Sequence, residues 1–321
     1  MKKSLSVNRL AWKLLEKLHE NPEFYKVKIE KADSGATIVD AGINVQGGFQ
    51  AGKIITEICM GGCGKARITY RQYGELELPS IFVYTDHPII ATLGSQYAGW
   101  QIKEGDYFAI GSGPGRALAL KPKEIYEKIG YKDSFDKAIV VLETDKYPPE
   151  KLTERLAKDC HVSKENLTVI LTPTTSMAGA TQVSGRIVET GIHKLSKIRL
   201  NPNVILYAWG SAPIPPIHPK FAQAMARTND AILYGGTAYY TVEYENEEKL
   251  KEIVEKAPSK ASQSYGKPFI EIFKEVGYDF YKIDSNLFAP AVIIINNLKT
   301  GNTFQKGEIN VDALKKSFSF I

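Results

Sequence analysis

Two short apolar runs, KAIVVLETD (137–145) and NLTVILTPTTS (166–176), flank a segment of helical spacing, PPEKLTERLAKDCHV (148–162). A continuous apolar run of that length fits a strand buried on both faces. Strands of that kind sit in a sheet covered by helices, and a helix between two of them is the usual crossover. This pattern constrains the fold more than any other feature of the chain. The first half follows the same grammar. Residues 5–20 put Val7, Leu10, Leu14, Leu15 and Leu18 on one helical stripe. ATIVDAGINV (36–45) reads as a strand broken at Gly42, and ARITYRQYGELELPSIFVYTD (66–86) as two or three short strands.

The alternation predicts an α/β fold of mixed α+β character. At about 150 residues per domain, 321 residues suggest two lobes. The seam is expected near YKDSFDKA (131–138). That gives an N-terminal α/β lobe over 1–131 and a C-terminal α/β lobe over 132–321, unless the chain crosses back. In the second half, MAGATQVSGRIVETGIHKLSKI (177–198) reads as one helix and DAILYGGTAYYTVEYEN (230–246) as a hairpin.

Several classes of function are disfavoured by composition. The formal charge is +5, from 41 basic and 36 acidic residues interspersed as in EEKLKEIVEK, so no concentrated basic stripe offers itself to nucleic acid. No run of about 20 apolar residues suggests a membrane span. Three cysteines, Cys59, Cys63 and Cys160, form no even disulfide framework, which points to a reducing, cytoplasmic setting. Cys59 and Cys63 are four apart with no second pair, and the five histidines form neither HExxH nor HxH, so no metal ligand is assigned.

Three segments could carry chemistry. GSGPGR (111–116) is either an anion cradle, with Ser112 and Gly113 at its turn, or simply a tight strand-to-helix connection. On a helical wheel started at Gln182, the residues Gln182, Arg186, Glu189 and His193 share an arc about 60° wide, opposite Val183, Ile187, Val188 and Ile192. Gly185 and Gly191 each cost about 1 kcal/mol of helix propensity, which usually marks close approach by another group. Arg186 and Glu189, three apart, are neighbours on a helix. They are either a surface ion pair or a carboxylate held for work on water. In the third segment, Arg227, Thr228, Asn229 and Asp230 stand ahead of an apolar stretch and a Gly-Gly turn, as binding groups or as a capped helix end.

Seven segments in order resemble the methenyltetrahydromethanopterin cyclohydrolase family. They are GGFQAGKIITEICMGG, TLGSQYAGW, GDYFAIGSGPGRALALKPKEIYEKIGY, SGRIVETGIHK, ARTNDAILYGG, YGKPFIEIF and DFYKIDSNLFAPA. TLGSQYAGW and GSGPGR look more like the bacterial, C1-oxidising branch than the methanogen branch. The resemblance implies a two-lobed subunit with a substrate pocket between the lobes and a cytoplasmic homo-oligomer, typically a trimer. It implies hydrolysis of the methenyl bridge of methenyl-tetrahydromethanopterin to the formyl compound, with no metal and no cofactor. It assigns the family's catalytic arginine and glutamate to Arg186 and Glu189. For substrate contacts the candidates are Gln182, Ser112, Gly113, Arg227, Asn229 and Asp230. The competing readings are a cyclohydrolase for another methenyl pterin such as a folate, a non-catalytic pterin-binding protein, and a nucleotide module built on GSGPGR.

Overall fold

The computed structural model describes residues 5–279 and 282–320; Phe280 and Tyr281, within DFYKIDSNLFAPA, and the lysines of the N-terminal tetrapeptide lie outside the described residues. The strands in chain order are β1 (Lys28–Lys31), β2 (Thr37–Asp40), β3 (Lys65–Tyr73), β4 (Leu76–Thr85), β5 (Trp100–Glu104), β6 (Tyr107–Ser112), β7 (Ala138–Glu143), β8 (Leu167–Leu171), β9 (Ile205–Pro213), β10 (Thr237–Val242), β11 (Val292–Asn297) and β12 (Thr303–Gly307). The helices are α1 (Val7–Glu20), α2 (Pro22–Tyr25), α3 (Phe49–Cys59), α4 (Pro88–Ala91), α5 (Gly115–Ala119), α6 (Lys123–Ile129), α7 (Glu150–Asp159), α8 (Met177–Ser184), α9 (Ile187–Lys197), α10 (Phe221–Gly235), α11 (Glu247–Glu255), α12 (Phe269–Glu275) and α13 (Val311–Phe318). The fold is mixed α/β, as the alternation predicts. None of the described helices is long and apolar enough to cross a membrane.

By contact the chain divides into two compact units. One takes the chain up to Lys65 together with Ile89–Gln182, and the other takes Ala66–Pro88 together with Val183 onward. Each unit holds one six-stranded sheet. The first is ordered β1-β2-β8-β7-β6-β5 and the second β12-β11-β10-β9-β4-β3. The seam expected at 131 therefore lies inside the first unit. The strands on either side of it, β6 and β7, are antiparallel neighbours with Ser112 opposite Val141.

In the first unit, β2, β8 and β7 run parallel, and α7 is the crossover between β7 and β8. These strands are buried along their length because both faces are covered. Leu14, Leu15, Leu18, Ile54, Ile55 and Ile58 pack with Ile139, Val141 and Ile170 on one side. Leu152, Leu156 and Cys160 pack with Val140, Leu142 and Val169 on the other. The stripe read in residues 5–20 is α1, started by Ser6, whose hydroxyl accepts from the Arg9 amide and so satisfies one orphan donor.

The second unit differs from the sequence reading at two places. The segment 177–198 is two helices, not one: α8 ends at Ser184 and α9 begins at Ile187, with Arg186 as its N-cap at φ −82° and ψ 3°. A glycine at 185 followed by a residue outside helical geometry is enough to stop one helix and start another. The expected hairpin over 230–246 is also absent. DAILYG forms the last six residues of the 15-residue α10, and only TAYYTV is a strand. The apolar stretch Ala231–Leu233 satisfies either period, and burial against α12 and α13 decides for helix.

Candidate active site

α9 lies on the second sheet against β9 and β10. Its first residue, Ile187, is fully buried. Ile187 fits over two glycines: a Cβ at Gly210 would stand 3.0 Å from its Cγ2, and one at Gly236 would collide with its Cδ1. The two missing side chains let the helix start descend onto the sheet. Ser184 fixes the approach, its hydroxyl donating to the Pro213 carbonyl at 2.8 Å. The Arg186 amide donates to the Val183 carbonyl at 2.9 Å, and the Arg186 carbonyl accepts from Thr190 at 2.8 Å. Arg186 is thereby held at the cap and Glu189 in the first turn. Unpaired N–H groups at a helix start favour a negative charge there.

The wheel puts Gln182, Arg186, Glu189 and His193 on the arc opposite the apolar residues and leaves a surface ion pair open for Arg186 and Glu189. Their burial does not fit a surface pair. Gln182 is 0%, Arg186 6% and Glu189 5% exposed, while His193 is half-buried. A guanidinium and a carboxylate three residues apart and nearly out of water are not a solvated surface pair. The division between the two units falls just after Gln182, at the last turn of α8.

Residues overlooked in the sequence brace α9. Tyr240 of β10 is fully buried and donates its hydroxyl to the Val188 carbonyl at 2.9 Å. Burial, and then the charge of Glu189, push its phenol well above the usual range, so it stays a neutral donor. A Cβ at Gly191 would collide with that hydroxyl and would lie 3.2 Å from Pro290 Cγ. Lys194 is 2% exposed and donates to the carbonyl and the side-chain oxygen of Asn286, at 3.1 and 2.9 Å. Desolvation holds its ammonium below the usual value. The glycine at 191 was the available signal: it marks close approach, here by a tyrosine.

Ser112 and Gly113 belong to the first unit. Ser112 is buried, with its hydroxyl 3.4 Å from the Val141 carbonyl, and the Gly113 amide donates to Ser95 O. GSGPGR forms the tight connection from β6 to α5. A Cβ at Gly115 would come within 2.9 Å of the Ile139 carbonyl. Arg116, fully buried, donates to the carbonyls of Leu93, Ser95 and Lys121 and faces the rings of Tyr97 and Tyr126.

Arg227, Asn229 and Asp230 lie on α10 and serve the fold. Arg227 donates to the carbonyls of Pro216, Ile217 and Ser317 and to the Ser319 hydroxyl. Asn229 bonds back to Met225 O at 2.9 Å. Asp230, 0% exposed, accepts from the Phe269 amide at 2.9 and 3.1 Å and from Ser317 Oγ at 2.6 Å. It ties α12 and α13 to α10.

The family model described as Cyclohydrolase (MCH) matches residues 6–318. Methenyltetrahydromethanopterin cyclohydrolase of Methanothermobacter marburgensis is 46% identical over 319 residues, covering 98% of this chain and 99% of that protein. The protein of the same name from Methanococcoides burtonii is 46% identical over 314 residues, covering 98% of each chain. That from Methanocaldococcus jannaschii is 44% identical over 319 residues, covering 98% and 99%. The likeness thus extends strongly into the methanogen branch.

Proposed function

The chain belongs to the methenyltetrahydromethanopterin cyclohydrolase family, and from that premise we propose that it interconverts methenyl-tetrahydromethanopterin and formyl-tetrahydromethanopterin, with Glu189 as general base and Arg186 as its orienting partner. The observation that carries the assignment of roles is the burial of both side chains at the start of α9, the helix whose Ile187 sits over Gly210 and Gly236.

The methenyl carbon of the substrate is an amidinium carbon, electrophilic through its own positive charge. It needs an aimed water and a group to take the proton. Glu189 accepts that proton as oxygen bonds to carbon, giving a neutral tetrahedral carbinolamine. The carboxyl then returns the proton to the departing nitrogen as the C–N bond breaks. A second proton leaves the carbinolamine hydroxyl as the formyl C=O forms. The sum is substrate cation plus water giving neutral formyl product and one proton, so acid favours ring closure. Arg186, at the cap three residues before it, is the partner we assign to orient the carboxylate. Of the substrate-contact candidates, Gln182 is the polar group we retain, because the side chains of Arg227, Asn229 and Asp230 are engaged in bonds to their own neighbours. No cofactor enters this reading, because the carbon needs no further activation.

We place the protein in the cytoplasm as a homo-oligomer, trimeric by family resemblance. The surface that supports self-association is one face of the second sheet. There Phe82, Tyr84, Trp209 and Tyr239 form a row of rings, with Trp209 and Tyr239 stacked at 5.3 Å. Trp209→Glu should lower the solution mass measured by light scattering.

The test of function is loss of methenyl-pterin absorbance with purified protein, run beside Glu189→Gln. Turnover by the wild type and a loss of about 100- to 10,000-fold in the variant is the expected result. Unimpaired turnover by the variant removes Glu189 from the mechanism. Turnover of methenyl-tetrahydrofolate in place of the methanopterin substrate reassigns the pterin.

A further inference from the structure

We propose that Tyr240 is a positioning residue for the hydrolytic reaction, acting through the first turn of α9 on the carboxylate of Glu189. The inference rests on the reading of Glu189 as base. Tyr240 stands on the fully buried face of β10, between Ala238 and Val242 and beside Ile293 and Ile295 of β11. An aliphatic side chain would satisfy that environment. A phenol there must find a buried partner for its hydroxyl or lose the hydrogen bond it made in water. It finds the Val188 carbonyl, the peptide that enters Glu189.

The helix is shaped to receive it. Gly191 is the position one turn on where a Cβ would collide with the Tyr240 hydroxyl. A mid-helix glycine is unfavourable by about 1 kcal/mol relative to alanine. Two locally unfavourable choices, a buried hydroxyl and a helical glycine, thus meet at one point beside Glu189. α9 also has anchors apart from these. Ile187 over Gly210 and Gly236 and Lys194 on Asn286 already hold it. What the Tyr240–Val188 bond adds is a fixed orientation for the peptide preceding the base. A base misplaced by a fraction of an ångström loses rate without losing substrate affinity.

The experiment is a double-mutant cycle of Tyr240→Phe with Glu189→Gln, read as kcat and KM on the methenyl pterin. Tyr240→Phe is expected to lower kcat about tenfold, about what one lost hydrogen bond is worth, with KM within about twofold. In the Glu189→Gln background it is expected to do nothing further, because nothing remains to be positioned. Gly191→Ala supplies an independent variant should Tyr240→Phe not fold. It displaces the hydroxyl while improving helix propensity, and the same fall in kcat at constant KM is expected. An unchanged kcat in Tyr240→Phe, or an equal loss in both backgrounds, overturns the positioning role and leaves Glu189 as base. Full turnover by Glu189→Gln alone overturns the underlying reading instead.

Discussion

Asp230 offers a quantitative test of whether the ARTND segment serves the fold. Its carboxyl is fully buried, and burial pushes its pKa up to about 7 from an ordinary 3.8, against the pull of the Ser317 and Phe269 bonds. The folded state therefore holds a proton that the unfolded chain has already released across this window. A raised folded pKa on an acid means that stability falls as pH rises from about 4 to about 7, then levels. The difference is about 3 pH units at 1.36 kcal/mol each, or on the order of 4 kcal/mol. Asp230→Asn removes the titration while keeping both contacts, since its oxygen can accept from Phe269 and its amide can donate to the two-way Ser317 hydroxyl. Denaturant melts of both proteins at pH 5, 6, 7 and 8 isolate the effect, because the other carboxylates cancel in the difference. The asparagine variant should gain on the wild type by about 1.4 kcal/mol per pH unit up to pH 7 and nothing above it. A difference independent of pH would refute the reasoning. Catalytic activity lost in the asparagine variant without loss of stability would return Asp230 to the substrate.

Binding of the two pterins to the inactive Glu189→Gln enzyme should separate charge from shape. By calorimetry the cationic methenyl compound should weaken more than the neutral formyl compound, by a factor of about 5 to 100, since only the cation loses a Coulomb partner. Ile187→Ala should cost about 2–5 kcal/mol in a denaturant melt, and it should lower kcat as well, because the plug that seats α9 on Gly210 and Gly236 is gone. Arg116→Met should cost about 3 kcal/mol or more, because it strips the donors from three buried carbonyls. It should leave kcat per folded molecule close to the wild-type value if GSGPGR is a structural turn.

The parts of the fold that were legible in the sequence are those decided locally. β7, α7 and β8 follow from two apolar runs and the helix between them, and α1 follows from its stripe and the Ser6 cap. The Arg186–Glu189 spacing was legible for the same reason, since neighbours three apart remain neighbours once Glu189 is in helix. Three things were not legible, each because tertiary contact decides it. DAILYG could be strand or helix until α12 and α13 cover it. The hairpin β3–β4 belongs to the second sheet only because β4 pairs with β9, with Tyr84 opposite Trp209, a choice made across more than a hundred residues. The wheel treated 182–193 as one helix and left a surface ion pair open for Arg186 and Glu189, whereas both side chains are buried and the helix is broken between Ser184 and Ile187.

The break between α8 and α9 also explains why the interior can tolerate them. Had the helix run through, Glu189 would sit in its middle, where every amide is already bonded to a carbonyl one turn back and a buried carboxylate would meet only filled donors. Stopping α8 at Ser184 and restarting at Ile187 creates a new N-terminus three residues before the carboxylate. Glu189 then lies in the first turn of α9, where the helix dipole favours a negative charge, with Arg186 at the cap. Gly185 and the two sheet glycines below Ile187 are the means by which that N-terminus is placed. The backbone geometry at this point thus favours a negative charge before any substrate arrives. On the proposed reading of Glu189 as base, a carboxylate so placed would attract the cationic substrate and take a proton from water without first being desolvated by the reaction itself.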